Sequence, residues 1–387
     1  MDMNVRIPLS RPEISDEDVR EVLRVLRSPY LSLGPYLEKF EKAVANYIGV
    51  EYAVAVSSGT AALHLLVKIA GLGKGDFMLT TPFTFVSSAN VALFEGALPV
   101  FADIDIATFN IDPQAVEDLF SRVKKGRVEI GGKRVDRIKV FMGVDIFGQP
   151  VDWDRLGRLC VENDVVMIED ACEALGAEYK GKKIGAFGLG GAFAFYPNKQ
   201  ITTGEGGIIL TNHEHVFREA RSLRNQGRGE GKEWLLHIRL GYNYRMDEMS
   251  AALGFSQLKR IDDILEKRKK IAERYNTMLC GSPIEPLKIS DFTTRMSWFV
   301  YVVKLPKGVD RDRIMEYLEK QGIQTRPYFQ CVHLQPFYRK MGYHEGMCPA
   351  AEEVSRRTLA LPFYNTITPE QQEEVISKLM EALERVG

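Results

Sequence analysis

The sequence has no charge of either sign to spare: 51 Lys and Arg stand against 52 Asp and Glu, a formal net charge of −1. That excludes the pervasive basic field of a nucleic-acid-binding chain, though not a local basic pocket for a phosphorylated small molecule. Cysteine is scarce too. The five (Cys160, Cys172, Cys280, Cys331, Cys348) are odd in number, widely spread, and form no CxxC pair or zinc spacing. No disulfide framework or metal site is expected, and a reducing, cytoplasmic compartment is. No run approaches the ~18 apolar residues that a membrane span requires. The opening MDMNVRIPLSRPEIS lacks an apolar core of signal-peptide length. A soluble protein with no membrane partner is expected. Walker A and GxGxxG motifs are absent, which disfavours nucleotide hydrolysis and dinucleotide binding.

What is present is an ordinary globular balance, 45% hydrophobic and 27% charged, over 387 residues, enough for two domains. Ser15-Asp16-Glu17-Asp18 reads as a capped helix start. A turn at Leu31–Pro35 precedes a second amphipathic helix, Tyr36–Ile48. From there short apolar runs alternate with helices. The expected strands are Ala53–Ser57, Phe77–Thr81, Leu98–Ala102, Ile138–Val144, Val165–Ile168, Ala192–Phe195 and Ile208–Leu210. The expected helices are Thr60–Ala70, Val86–Phe94, Pro113–Ser121, Trp153–Glu162, Glu214–Arg224 and Asp247–Leu258. Such alternation predicts an α/β fold with a mostly parallel sheet covered on both faces. A long helix, Ile261–Leu279, follows, its Glu266–Lys270 run read as a solvated face. A smaller α+β unit is then expected: strand Phe299–Leu305, helix Arg311–Gln321, strand Gln324–Tyr328 and helix Pro369–Arg385. The expected division is a large domain over 1–260 and a small C-terminal one over 261–387.

Four stretches carry chemistry. In Gly190–Leu210, an apolar run delivers Lys199 between Pro197-Asn198 and the glycine-rich Thr203–Gly207. Glycines on both sides let a flat ligand lie close to backbone. A lysine partly withdrawn from water can attack a carbonyl. Ser57-Ser58-Gly59-Thr60 sits at a strand-to-helix turn, where exposed N–H groups and the helix terminus favour a phosphate. Asp170 and Glu173, in Glu169–Glu173, end an apolar strand, and a buried Asp there needs a cationic or N–H partner. Phe85, in Pro82-Phe83-Thr84-Phe85, could cover a flat ring. Together these supply an imine-forming lysine, an acid for a pyridinium, a phosphate cradle and an aromatic face. Pyridoxal 5′-phosphate requires that set.

The chain resembles the DegT/DnrJ/StrS family of sugar-nucleotide aminotransferases over nearly its whole length. The resemblance rests on Ile7–Ser10, Leu31–Pro35, Ser58–Leu63, Asp170–Glu173, Phe195–Lys199, Thr202–Gly207, Gly241–Met246 and His333–Pro336, in the family's order. It implies the aspartate-aminotransferase-like fold, fold type I of pyridoxal-phosphate enzymes. Lys199 is then the lysine bonded to the cofactor, Asp170 the pyridinium partner, and Phe85 the stacking ring. Ser58, Gly59 and Thr60 hold the phosphate, and Glu173 lies beside the cofactor's 3′-oxygen. Asn243 reaches the phosphate of a neighbouring subunit, implying a homodimer with shared sites. The implied reaction moves an amino group from L-glutamate to a nucleotide-linked keto-deoxysugar, a 4-keto-6-deoxyhexose foremost.

Three positions depart from the family pattern: Glu173 for a common Gln, Ala194 for a phosphate-binding Ser, and Gln226 for a His. Substrate residues are read less directly. Arg326 could bind a pyrophosphate or a glutamate carboxylate, or form a surface ion pair. Tyr328 shares its segment. His333 caps a turn, contacts substrate, or only packs; all three stay open. The competing functions are a pyridoxal-phosphate lyase or desulfurase and a non-catalytic, cofactor-binding regulatory protein.

Overall fold

A computed structural model describes residues 5–229 and 235–386 of the chain. Its centre is a seven-stranded sheet in the order Tyr52–Val56, Gly207–Thr211, Gly191–Ala194, Val166–Asp170, Val140–Val144, Phe77–Thr80, Leu98–Phe101. Only Gly207–Thr211 runs against the others, antiparallel to both of its neighbours. All seven predicted strands therefore form, with ends shifted by a residue or two.

Alternation along the strands divides the core in two. Val54, Val56, Met142, Ile168, Ala192 and Ile209 face the helices Gly59–Ile69, Ser87–Phe94 and Glu214–Arg224. Ala53, Ala55, Phe141, Phe193, Ile208 and Leu210 face the opposite layer. The N-terminal helix Asp16–Leu26 starts in the predicted capping box, with Ser15 and Asp18 each bonded to the other's backbone N–H. Helix Pro35–Ile48 borrows its cap. The Glu248 carboxylate accepts from the N–H groups of Gly34, Tyr36 and Leu37 at 2.8–3.0 Å. Three otherwise orphaned donors are satisfied by one acid from a helix more than 200 residues along the chain.

The C-terminal part is built on a second, antiparallel sheet, ordered Glu285–Pro286, Tyr301–Lys304, Thr358–Leu361. Helices Arg311–Lys320 and Pro369–Val386 pack on each other beside it. Here the sequence-based expectation needs correction. Gln324–Tyr328 is not a strand; it forms one isolated bridge, Arg326 to Ala360. Pro327 follows at once and has no N–H with which to extend the ladder. The third strand is instead Thr358–Leu361, an apolar run without the alternation that marks a half-exposed strand. Strand Phe299–Leu305 is shortened to Tyr301–Lys304, because the Phe299 carbonyl is turned to Arg268. Arg268 also departs from the predicted solvated face of Ile261–Leu279: its guanidinium is buried.

Candidate active site

The carboxyl ends of the parallel strands gather the chemistry on one edge, where ligands of open α/β sheets collect. Register makes this concrete: Ala192 lies opposite Asp170, while Ala194 and Val56 both lie opposite Gly207. The loops leaving these strands carry Ser58, Asp170, Glu173 and Lys199.

The lysine loop is pinned at its base. Phe195 N–H donates to the Gly206 carbonyl at 2.9 Å, and Thr203 N–H donates to Phe195 at 3.0 Å. Thr202 is tied to the Gln257 side chain at 2.9 Å. Lys199 itself is 12% exposed, and its Nζ lies 3.8 Å from Glu173 Oε1. The same Nζ is 3.8 Å from the centroid of the Phe299 ring.

Asp170 is buried and fully engaged. Ser88 donates to its Oδ2 at 2.6 Å, and the Cys172 N–H donates to Oδ1 at 3.1 Å. Thr84 contacts Ser88 at 3.0 Å, so a short hydroxyl chain leads to the carboxylate. Glu173, three residues after Asp170 on the same strand-end segment, lies 3.8 Å from Lys199 Nζ, so acid and lysine are gathered at one edge of the sheet. Glu173 accepts from Phe147 N–H at 2.9 Å, and burial pushes its carboxyl up to about 7, against the pull of Lys199. Behind this pair lie two further buried acids. Burial raises Asp145 well above the usual carboxylate range, and raises Glu169 to about 7.

The phosphate cradle fits an anion by shape and by chemistry. Ser58 caps helix Gly59–Ile69, its Oγ accepting from Ala61 N–H at 3.1 Å. A Cβ on Gly59 would meet Ala194 Cβ at 2.6 Å and Cys172 Sγ at 2.9 Å. A Cβ on Gly207 would meet the Ser58 carbonyl oxygen at 2.3 Å. Glycine is thus required at both places, because the turn into the helix packs directly against Ala194, Cys172 and the Ser58 backbone. Ala194 sits directly on Gly59, so the departure from Ser falls inside the cradle and not beside it. Asn198, next to the lysine in sequence, has a buried Oδ1 with no hydrogen-bond partner among the described residues; as an acceptor it suits a donor and not an anion.

Outside this buried zone opens a cavity of about 900 Å³, lined by Phe85, Asn90, Arg326, Tyr328, Phe329 and Gln335 among others. Phe85 is 58% exposed and forms part of its wall. Arg326 is exposed at the mouth, with one N–H turned to the Thr325 carbonyl. Tyr328 reaches inward; burial, with Glu173 adding, pushes its phenol up to about 12. His333 is different. It is fully buried behind the wall, with Nε2 2.9 Å from Glu352. That carboxylate also accepts from the Gly346 and Cys348 N–H groups, so the pair ties a loop together. Of the three open readings of His333, packing is the one this geometry fits; a substrate contact is corrected. Asn243 is exposed and makes an isolated bridge to Asn225. Sequence reasoning missed Ser88 and Phe299. The cluster Thr84, Ser87, Ser88 at a helix start was a signal for the first. Nothing local marked the second.

Comparison with known proteins decides the family. The model of the DegT/DnrJ/EryC1/StrS aminotransferase family matches residues 12–380. The chain belongs to that family. GDP-perosamine synthase of Vibrio cholerae is 34% identical over 371 residues, 95% of this chain and 97% of that protein. The fold matches PseC of Helicobacter pylori, an aminotransferase of pseudoaminic acid biosynthesis, with a TM-score of 0.90, 28% identity, and 98% and 99% of the two chains covered. It also matches a putative sugar aminotransferase, Spr1654 of Streptococcus pneumoniae, in its PLP form, with a TM-score of 0.89, 26% identity, and 98% and 99% covered. The fold is accordingly that of type I pyridoxal-phosphate enzymes, and the chain is an aminotransferase that uses pyridoxal 5′-phosphate.

Proposed function

We propose that the enzyme transfers the amino group of L-glutamate to the keto carbon of a nucleotide-linked deoxyhexose, a 4-keto-6-deoxyhexose in the first instance. One observation carries this reading. A buried Lys199–Glu173–Asp170 group and a helix N-terminus share an edge with a large, aromatic-walled cavity that has a guanidinium at its mouth. The sugar-nucleotide and sugar-aminotransferase relatives support it.

Pyridoxal phosphate, when bound, supplies a carbonyl for amines and a ring that withdraws electrons from the adjoining carbon. The residues that would hold it are those already described. The N–H groups at Gly59 and Thr60, with Ser58, would bind the phosphate. Asp170, oriented by Ser88 and Cys172 N–H, would keep the ring nitrogen protonated. Phe85 would cover the ring, and Glu173 would face its oxygen edge. Lys199 would hold the carbonyl end of the cofactor and, when free, would carry a proton to or from the reacting carbon. Tyr328 and Arg326 line the path of the acceptor, with Arg326 the donor for a pyrophosphate or a carboxylate.

In this reading residues 1–260 carry the cofactor and 261–387 form the wall over it. Asn243, exposed in the single chain, would serve the site of a second copy, making a cytoplasmic homodimer the working unit. The test is direct. The purified protein, loaded with cofactor, is given L-glutamate and a panel of keto-sugar nucleotides, and the amino-sugar product is detected by mass. A 4-keto-6-deoxyhexose nucleotide is expected to be converted, and Lys199→Ala to abolish conversion and the visible absorbance of bound cofactor. Failure with every acceptor would overturn the substrate assignment.

A further inference from the structure

Phe299 and Arg268 are not explained by the functions assigned so far. Phe299 lies outside the strand that follows it. Its backbone is held at both ends: its N–H donates to the Phe147 carbonyl at 3.1 Å, and its carbonyl accepts from Arg268 Nη2 at 2.7 Å. The preceding residue, Trp298, has φ of +53° and gives its carbonyl to Arg268 Nε at 2.7 Å. Arg268 Nη1 reaches Asn365 at 3.0 Å, and the guanidinium lies 4.9 Å from the Phe363 ring centroid. This is an expensive arrangement. The cation is buried, and among the described residues no carboxylate lies within ion-pair distance of it; burial lowers it to about 10. A guanidinium so placed is held mainly by the carbonyl and amide oxygens it fixes, with the Phe363 ring and the more distant Glu13 charge adding support.

What those bonds fix is a ring face at 3.8 Å from Lys199 Nζ. Glu173 Oε1 lies at the same distance, 3.8 Å, from that nitrogen. A single residue ties the two together. Phe147, at φ +56°, donates its N–H to Glu173 Oε2 and gives its carbonyl to Phe299 N–H. The acid and the ring are thus set by one peptide neighbourhood, and both favour a cation beside them.

We propose that the Phe299 ring and the Glu173 carboxylate form a holding site for the Lys199 ammonium whenever that amine is not bonded to a carbonyl, and that Arg268 is the positioning residue that fixes the ring. This site keeps the freed lysine close and in one orientation. Passing one proton from the ammonium to the Glu173 carboxylate leaves a neutral amine and a neutral acid, ready for the next attack. The charged and titratable groups that bear on Glu173 are Lys199, Asp170, Cys172 and Tyr328. The proposal deepens the reading of Lys199 as the reactive amine, but its test needs neither turnover nor a known substrate.

The full-length protein, stripped of pyridoxal phosphate, is treated with trace acetic anhydride across a pH series. Acetylation of Lys199 is then read by peptide mass spectrometry. In the wild type the pH of half-maximal labelling is set partly by the holding site. In Glu173→Gln and in Phe299→Leu it should fall by on the order of one pH unit, a roughly tenfold rise in labelling at a fixed pH below the midpoint. A purely steric change would move the plateau and not the midpoint. Phe299→Tyr keeps the ring and should keep the wild-type midpoint. Arg268→Lys, which loses the forked grip on both carbonyls, should shift it in the same direction as Phe299→Leu. Unchanged midpoints in Glu173→Gln and Phe299→Leu would overturn the holding site. A wild-type midpoint in Arg268→Lys would overturn the positioning role. The near-isosteric Glu173→Gln keeps the test decisive if the Phe299 or Arg268 variants fail to fold.

Discussion

The site has two halves built on different principles. The inner half, Asp170, Glu173, Lys199 and the Gly59 helix terminus, sits on strand ends and is buried, with Asp170 and Glu173 fully engaged. The outer half, Phe85 and Arg326 around the cavity, stands on loops and is exposed. Strand ends fix chemistry to fractions of an ångström, because moving them would disturb the sheet. Loops tolerate change and so can alter the partner without altering the reaction. The difference assigns reactivity to the inner half and substrate choice to the outer.

If that division is right, an inner change should act on turnover. Asp170→Asn leaves the hydroxyl chain from Thr84 and Ser88 in place but removes the charge. We expect kcat to fall by roughly 10²–10³-fold, a range comparable to losing one preorganised electrostatic contact. Equal effects on KM alone would break the comparison. An outer change should act on affinity. Arg326→Ala should raise KM for the sugar nucleotide roughly tenfold, as expected for one lost charge-assisted contact at an exposed site, with kcat within a factor of a few.

Glu173 tests the inner half through stability. Its carboxyl titrates near 7 in the fold and near 4.5 when unfolded. The folded state therefore holds its proton more tightly, and this contribution is full below pH 4.5 and lost as pH rises through 7. Glu173→Gln should thus gain stability relative to wild type on going from pH 5 to pH 8, by about 1–3 kcal/mol in denaturant titrations. An identical pH dependence in the two proteins would show the acid is not desolvated as described. The smallest effect on catalysis is expected at His333. His333→Gln should lower stability by about 1–3 kcal/mol, because Glu352 loses its buried partner, and leave KM for both substrates unchanged. A rise in KM would return His333 to the outer wall.

The inner half was legible in the sequence because its signals are local. Lys199 between glycines, Ser58-Gly59-Thr60 after a strand, and Asp170 at the end of one each follow from backbone geometry within a few residues. The helix Trp153–Glu162 and the long helix Ile261–Leu279 were placed with their ends for the same reason, since period and caps are contained in the segment. The errors lie where distant contacts override local pattern. Gln324–Tyr328 looks extended, and Pro327 limits it to one bridge. His333 stands in a motif, yet its partner Glu352 takes it away from the cavity. Arg268 reads as one charge in a solvated run until the Trp298 and Phe299 carbonyls, 30 residues on, claim it.

The sequence by itself determined the strand–helix alternation and the arrival of Lys199, Asp170 and Gly59 at the ends of strands, because each depends on the chain's own stereochemistry and on burial over short spans. Only the tertiary structure decided that Phe299 faces Lys199, that Ser88 feeds Asp170, and that Arg268 abandons water for backbone carbonyls. Those choices depend on which groups meet after the two sheets and the long helix have packed, and no local pattern encodes a contact whose partner lies 30 to 100 residues away.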